Sequence, residues 1–266
     1  MKTALCLSGH MRTYRDTFEN LNKNLIQPLN CDVYIHTWDI RDHSARGDWQ
    51  DMKDNNFQHI YDTFKPAAFE VDYQEKYLEY INKIIAERNL FAIDNNVANA
   101  VFSMYYKRRA SFQLVEATKK KYDLVVLTRP DILMSNSDDL HSHAPYNFDN
   151  FNKDEITMAP SQFSGVAMKY NGKKHPASEK IMGGYGVYKE FSDIFMAGSY
   201  DNMQKMSMLY EHILEYIAQG CPLHCEKLLI HHCKRNNFKI SNLPGNFALL
   251  REMNHDAWWK EYRSKK

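Results

Sequence analysis

Residues 122–132 read Tyr-Asp-Leu-Val-Val-Leu-Thr-Arg-Pro-Asp-Ile. Leu124–Thr128 within it is an apolar run without polar alternation, the pattern of a strand buried on both faces. Such strands occupy the interior of a largely parallel sheet, because helices must cover each face. Arg129-Pro130-Asp131 ends the run, and Pro130 fixes the backbone of the turn. Working outward, Thr3–Leu7 is a second short apolar run, stopped by Ser8-Gly9. Asp32–Trp38 (DVYIHTW) is rich in β-branched and aromatic residues and reads as another strand. Ala67–Tyr73 reads as a weaker one after Pro66.

Helices are predicted between these strands. Phe18, Leu21, Leu25 and Ile26 sit near helical spacing within Asp16–Ile26. Val97, Val101, Met104, Tyr105, Phe112 and Val115 fall close to one stripe of a long helix over Asn96–Lys121. Later strands are expected at Ile156–Ala159, Ile194–Ala197 and Phe247–Leu250. Met206, Leu209, Ile213, Tyr216 and Ile217 mark a helix ending at Gly220, and Cys225–Cys233 marks another. The alternation predicts an α/β fold with a mostly parallel central sheet and helices on both faces. No repeat, low-complexity tract or linker interrupts the chain, so residues 1–266 read as one domain.

Composition narrows the function. The hydrophobic fraction is 44% and the charged fraction 25%, so a full core is expected. Lys plus Arg is 34 and Asp plus Glu is 33, a balance that argues against a nucleic-acid binder. The opening MKTALCLSGH is too short and polar for a signal-peptide core, and no run of about 18 apolar residues exists. Five cysteines without framework spacing suit a reducing compartment. The expected setting is cytoplasmic.

Ligands of open α/β sheets bind beyond the carboxyl ends of the strands. That rule singles out three segments. In Ser8-Gly9-His10-Met11-Arg12, Gly9 permits close backbone approach, while Ser8 and Arg12 can donate to a diphosphate or a uracil-type base. The plain alternative is a tight turn. In Arg129-Pro130-Asp131, the guanidinium can fork onto phosphate, and the carboxylate can hold Mn²⁺ or Mg²⁺ against it. A structural Arg–Asp pair is the alternative. In His36-Thr37-Trp38-Asp39, Trp38 can stack on a base and Asp39 can accept ribose hydroxyls, or Trp38 can simply be core. A P-loop and a G-x-G-x-x-G motif are both absent.

Two acids later in the chain are candidates for a general base: Glu226, in the first turn of a helix, and Asp193, beside the predicted strand Ile194–Ala197. Either can equally be a structural acid; at a helix start a carboxylate serves the dipole. Cys221, His224, Cys225, His231, His232 and Cys233 invite a zinc reading, but their crowding on one loop and helix favours buried thiols and core histidines. Trp258, Trp259 and Tyr262, with Lys260, Arg263, Lys265 and Lys266, form an aromatic, basic tail for which membrane contact would be at most peripheral.

Taken in order, ALCLSGHMRTY, CDVYIHTWD, MYYKRRA, YDLVVLTRPDI, FSDIFMAGSYDNM and CPLHCEKLL resemble a family of glycosyltransferases found in large algal viruses and in bacterial capsule and lipopolysaccharide gene clusters. The resemblance covers about residues 3–250. It implies a GT-A-like, Rossmann-type fold, a nucleotide-sugar donor and often a divalent metal. By position, Ser8, Gly9 and Arg12 would meet the nucleotide, and Asp131 would take the metal or diphosphate role. Metal-dependent GT-A enzymes usually carry Asp-x-Asp where this chain has Arg129-Pro130-Asp131, so one carboxylate is missing. Asp138-Asp139 is a substitute pair or a solvated turn. The resulting expectation is an enzyme that transfers a sugar from a UDP-linked donor to a glycan acceptor with inversion. The alternative is a non-catalytic nucleotide- or glycan-binding protein on the same scaffold.

Overall fold

The computed structural model describes residues 1–41, 56–88, 95–137, 144–160, 169–170, 173–174 and 191–249. Its strands are β1 (Thr3–Ser8), β2 (Asp32–Trp38), β3 (Ala68–Asp72), β4 (Leu124–Thr128), β5 (Ile132–Ser135), β6 (Glu155–Pro160), β7 (Lys169–Tyr170), β8 (Lys173–Lys174), β9 (Phe191–Gly198), β10 (Lys239–Asn242) and β11 (Asn246–Leu249). Its helices are α1 (Tyr14–Leu21), α2 (Gln27–Leu29), α3 (Phe57–Phe64), α4 (Gln74–Glu87), α5 (Asn95–Ala117), α6 (Tyr200–Ser207), α7 (Leu209–Ala218) and α8 (Cys225–Arg235).

Seven strands form one sheet in the order β10-β6-β9-β4-β1-β2-β3. β1 runs parallel to both β2 and β4, and β2 runs parallel to β3. β9 is antiparallel to both neighbours, β4 and β6, while β10 is parallel to β6. Six strands therefore point one way, and only β9 is reversed. Leu124–Thr128 lies in the middle, buried along its whole length, as its unbroken apolar run requires.

The alternation of β1 side chains divides the core. Ala4 and Cys6 face a cluster built with α4, α5 and α8, including Tyr77, Phe112 and Leu228. Leu5 and Leu7 face the other cluster, with Leu21, Ile60, Phe64 and Phe247. Helices thus cover both faces, as the alternation predicted.

The local differences have physical causes. The helix expected over Asp16–Ile26 begins earlier and runs through a π-helical stretch at Asn22–Ile26 into α2. Asn24 within that stretch is buried and donates to the Met134 carbonyl at 2.7 Å, a tertiary bond that periodicity does not encode. α5 stops at Ala117, four residues short of the expected end, and Lys119 follows in the left-handed region at φ 55°. The single helix expected around Met206–Gly220 is two, α6 and α7. The last expected strand ends at Leu249; Leu250, Asp138, Asp139 and the C-terminal aromatic tail lie outside the described residues. No helix among the described residues is long and apolar enough to cross a membrane.

Candidate functional site

The sheet's strand order reverses at β1. The chain goes from β1 to β2 and β3 on one side, and β4 returns to pair on the other. Doubly wound sheets hold their ligands in the crevice beyond such a reversal. Ser8, Gly9 and Arg12 leave β1 at this point, and Arg129 and Asp131 leave β4.

The two groups meet. Arg12 Nη1 donates to Asp131 Oδ2 at 3.0 Å. Arg129 forks onto the same carboxylate, Nε to Oδ1 at 2.8 Å and Nη2 to Oδ2 at 2.7 Å. Asp131 is fully buried, while the Arg129 side chain keeps 17% of its surface exposed. The buried carboxylate thus holds two guanidinium groups in one place. The backbone is shaped for this. Gly9 sits at φ 102°, where an L side chain is strained, and its N–H donates to the His36 carbonyl. Arg12 adopts φ 36°, an uncommon value for a non-glycine residue. Its N–H donates to the Arg41 carbonyl at 3.1 Å. The Thr17 hydroxyl anchors the opposite loop by donating to the Pro130 carbonyl.

The metal expectation fails at this carboxylate. Both Asp131 oxygens already accept from arginine, and two positive guanidinium groups repel a cation. A divalent ion needs open oxygen ligands. The residues present at Asp131 do not fit Mn²⁺ or Mg²⁺.

The β2 end is packed rather than open. Trp38 is 1% exposed; Lys107 Nζ sits 3.6 Å from its ring centroid, and Tyr77 and Tyr106 pack against it. A ring so enclosed cannot stack on a base, so Trp38 is a core residue. Asp39 Oδ1 accepts from the Gln74 amide at 2.8 Å, which places it at the start of α4 as a cap. Beneath them lies a polar network that the sequence reading passed over. Lys107 is fully buried and donates to His36 Nδ1, to the Thr37 carbonyl and to Asp72 Oδ2. Burial pulls its ammonium down to about 7 and, with the Lys107 charge, pulls His36 down to about 4.

The next residue along α5 reaches the other half of the sheet. Because β9 is antiparallel and Thr128 pairs with Phe195, the start of β9 lies beside the end of β4. Asp193 is there. Arg108, 4% exposed, donates through Nη2 to the Asp193 carbonyl and lies 3.5 Å from its carboxylate. Glu226 enters from the first turn of α8, which packs against β9. Burial first, and the Asp193 charge second, raise the Glu226 carboxyl above its ordinary value, against an opposing effect of Lys227. His224 Nδ1 stands 3.2 Å from Glu226 Oε2 but is not aligned for a hydrogen bond. Burial also lowers the His224 imidazole. The Tyr105 hydroxyl ties the start of α8 to α5 through the Cys225 carbonyl at 2.6 Å.

Both candidate bases therefore stand at the edge of the sheet that carries the arginine pair. Asp193 is held by Arg108, while the side chain of Glu226 retains 36% of its surface. Lys107 and Arg108 were legible only as members of the run of three cations Lys107-Arg108-Arg109 between Tyr105 and Phe112. Of the six residues weighed for zinc, His232 is held by Tyr216 and the Lys205 carbonyl. His224, Cys225 and Glu226 do bring their ligand atoms within 4.8 Å of one another. No protein-family model matches the chain, and no curated protein matches it.

Proposed function

We propose that the chain is a glycosyltransferase that moves a sugar from a nucleotide-diphosphate donor, UDP-linked, to a glycan acceptor with inversion. One observation carries the reading: two arginines held by one buried carboxylate lie at the strand-order switch point, with Asp193 at the neighbouring start of β9 and Glu226 on the helix packed against that strand. The parallel half of the sheet and its crevice support a GT-A-like, Rossmann-type identity for the domain.

In this mechanism the donor diphosphate lies against Arg12 and Arg129, with the nucleoside over the Ser8-Gly9 turn. Asp131 acts as a positioning residue, keeping both guanidinium groups in place before the donor arrives. Glu226 takes the proton from the acceptor hydroxyl. The acceptor oxygen forms its bond to the anomeric carbon as the bond from that carbon to the diphosphate oxygen breaks. The electron pair leaves with the diphosphate, and the fixed guanidinium groups meet its charge. The proposed setting is cytoplasmic, and donor and acceptor are the partners.

A thermal-shift panel of nucleoside diphosphates and nucleotide sugars, followed by product detection with oligosaccharide acceptors, tests the proposal. A ligand at 100 times its Kd should add about 2.7 kcal/mol. Binding without turnover on any acceptor would favour a non-catalytic binding protein. No stabilisation by any nucleotide would sink both readings.

A further inference from the structure

A concave site lies at the opposite edge of the sheet. It is a cleft of about 460 Å³ lined by Lys119, Lys120, Lys121, Tyr122, Lys153 and Tyr200, together with Asp123, Ser199 and Asp201. Lys119–Asp123 lead into the amino end of β4, Lys153 precedes β6, and Ser199–Asp201 follow the end of β9. All therefore stand where the six co-directional strands begin, away from the crevice at their carboxyl ends.

The lysines differ in what holds them. Lys120 is paired with Asp32 at 3.1 Å. Lys119 and Lys121 have no ion-pair partner among the described residues, and Lys153 makes no ion pair within 4.0 Å, although its charge helps to lower the Asp123 carboxyl. Of the two lining acids, Asp123 already accepts from the Lys2 amide at 2.8 Å. The frame is fixed. Lys119 turns the chain through φ 55° after α5, so three consecutive lysines fold around one hollow. The Lys153 carbonyl accepts from the Ser199 hydroxyl and from Asn202. Tyr122, 5% exposed, closes the floor, and its hydroxyl donates to Asp32 at 2.6 Å.

We propose that this cleft binds a phosphate-bearing anion. Its volume falls within the ordinary range of small-ligand sites. Lysine ammonium groups hold phosphate as point charges, and unpaired ones release no competing carboxylate when an anion arrives. The same chemistry is presented by a soluble diphosphate and by an anionic lipid headgroup.

The test uses the full chain and a triple variant, Lys119→Glu, Lys121→Glu and Lys153→Glu. One arm titrates inorganic pyrophosphate by calorimetry. The other co-sediments the protein with phosphatidylserine-containing and pure phosphatidylcholine vesicles. Because pyrophosphate can also meet Arg129, an Arg129→Ala variant runs in parallel. The expected result is a loss of about tenfold or more, weakening with salt, when the triple substitution is made in the native chain and equally when it is made in the Arg129→Ala chain. Loss in the pyrophosphate arm identifies a soluble ligand; loss confined to phosphatidylserine vesicles identifies a headgroup. Equal binding by the native chain and the triple variant in both arms overturns the proposal.

Discussion

Arg12 and Asp131 meet at 3.0 Å across 119 residues of sequence, one leaving β1 and the other β4. The contact ties the two loops of the switch-point crevice together. It also explains why Arg12 tolerates φ 36°, since strain of about 1–3 kcal/mol persists only where surrounding contacts enforce it. A fully buried carboxylate is stable here because both of its oxygens accept charge-assisted hydrogen bonds.

Asp131→Asn should therefore cost stability as well as function. Removing one partner from a buried ion pair typically costs about 3–5 kcal/mol. Urea unfolding of the variant should show a loss of that order, with nucleotide binding weakened because the arginines lose their anchor. Native-like stability would mean that the pairing is not structural.

Donor binding should depend on arginine rather than on metal. Excess chelator should leave nucleoside-diphosphate affinity unchanged, while Arg129→Ala should weaken it by roughly 10–100-fold, the worth of a charge-assisted hydrogen bond. Calorimetry with and without Mn²⁺ measures both. Affinity that collapses in chelator would return the metal to the site.

Much of this was legible in sequence. The apolar runs of β1, β2 and β4 announced themselves, and the strand-end rule led from them to Arg12, Arg129 and Asp131. Trp38 misled because a ring at a strand end looks the same in sequence whether solvent or Lys107 covers its face. The reversal of β9 was invisible, since strand direction depends on pairing with β4 and β6 rather than on the strand's own residues. Lys107 and Arg108 were missed because a helical stripe gives no sign that a cation within it finds acceptors on two different strands.

Acid should destabilise the fold through its buried histidines. His232 is 1% exposed, with Nε2 donating to the Lys205 carbonyl at 2.8 Å and Nδ1 bonded to the Tyr216 hydroxyl at 2.7 Å. Burial lowers it from 6.5 to about 4, and His36 is lowered to about 4 as well. A depressed folded value means that protons favour the unfolded chain. The stability is present above the unfolded value of 6.5 and is lost as pH falls toward 4. Unfolding free energies from urea titrations at pH 7 and pH 5 should differ by an amount on the order of 1 kcal/mol or more per histidine. His232→Gln should flatten that slope, leaving the part due to His36. An unchanged slope would show that His232 does not carry it.

The final prediction separates Glu226 from Asp193 as the base. Burial and the Asp193 charge both raise the Glu226 carboxyl above its ordinary 4.5. The acidic limb of kcat should therefore lie above the usual glutamate range, because only the ionised form accepts a proton. The same shift fixes the sign of a stability effect. A raised folded value contributes stability below the unfolded pKa, and that contribution is lost as pH rises through the folded value. At neutral pH the ionised Glu226 is thus a burden on the fold, and Glu226→Gln should be as stable as the native chain or more so. Its kcat should nevertheless drop by about 10²–10⁴ while donor affinity barely changes. Asp193→Asn should behave in the opposite way. It leaves Arg108, 4% exposed, without its carboxylate, so stability should fall. It also removes the charge that raises Glu226, so the acidic limb of the remaining activity should move to lower pH. Near-normal kcat in Glu226→Gln would eliminate Glu226. If Asp193→Asn then lost turnover with its pH profile abolished, Asp193 would be the base. If neither variant lost turnover, transfer with retention would be the better account, since such a mechanism can proceed without a base from the protein.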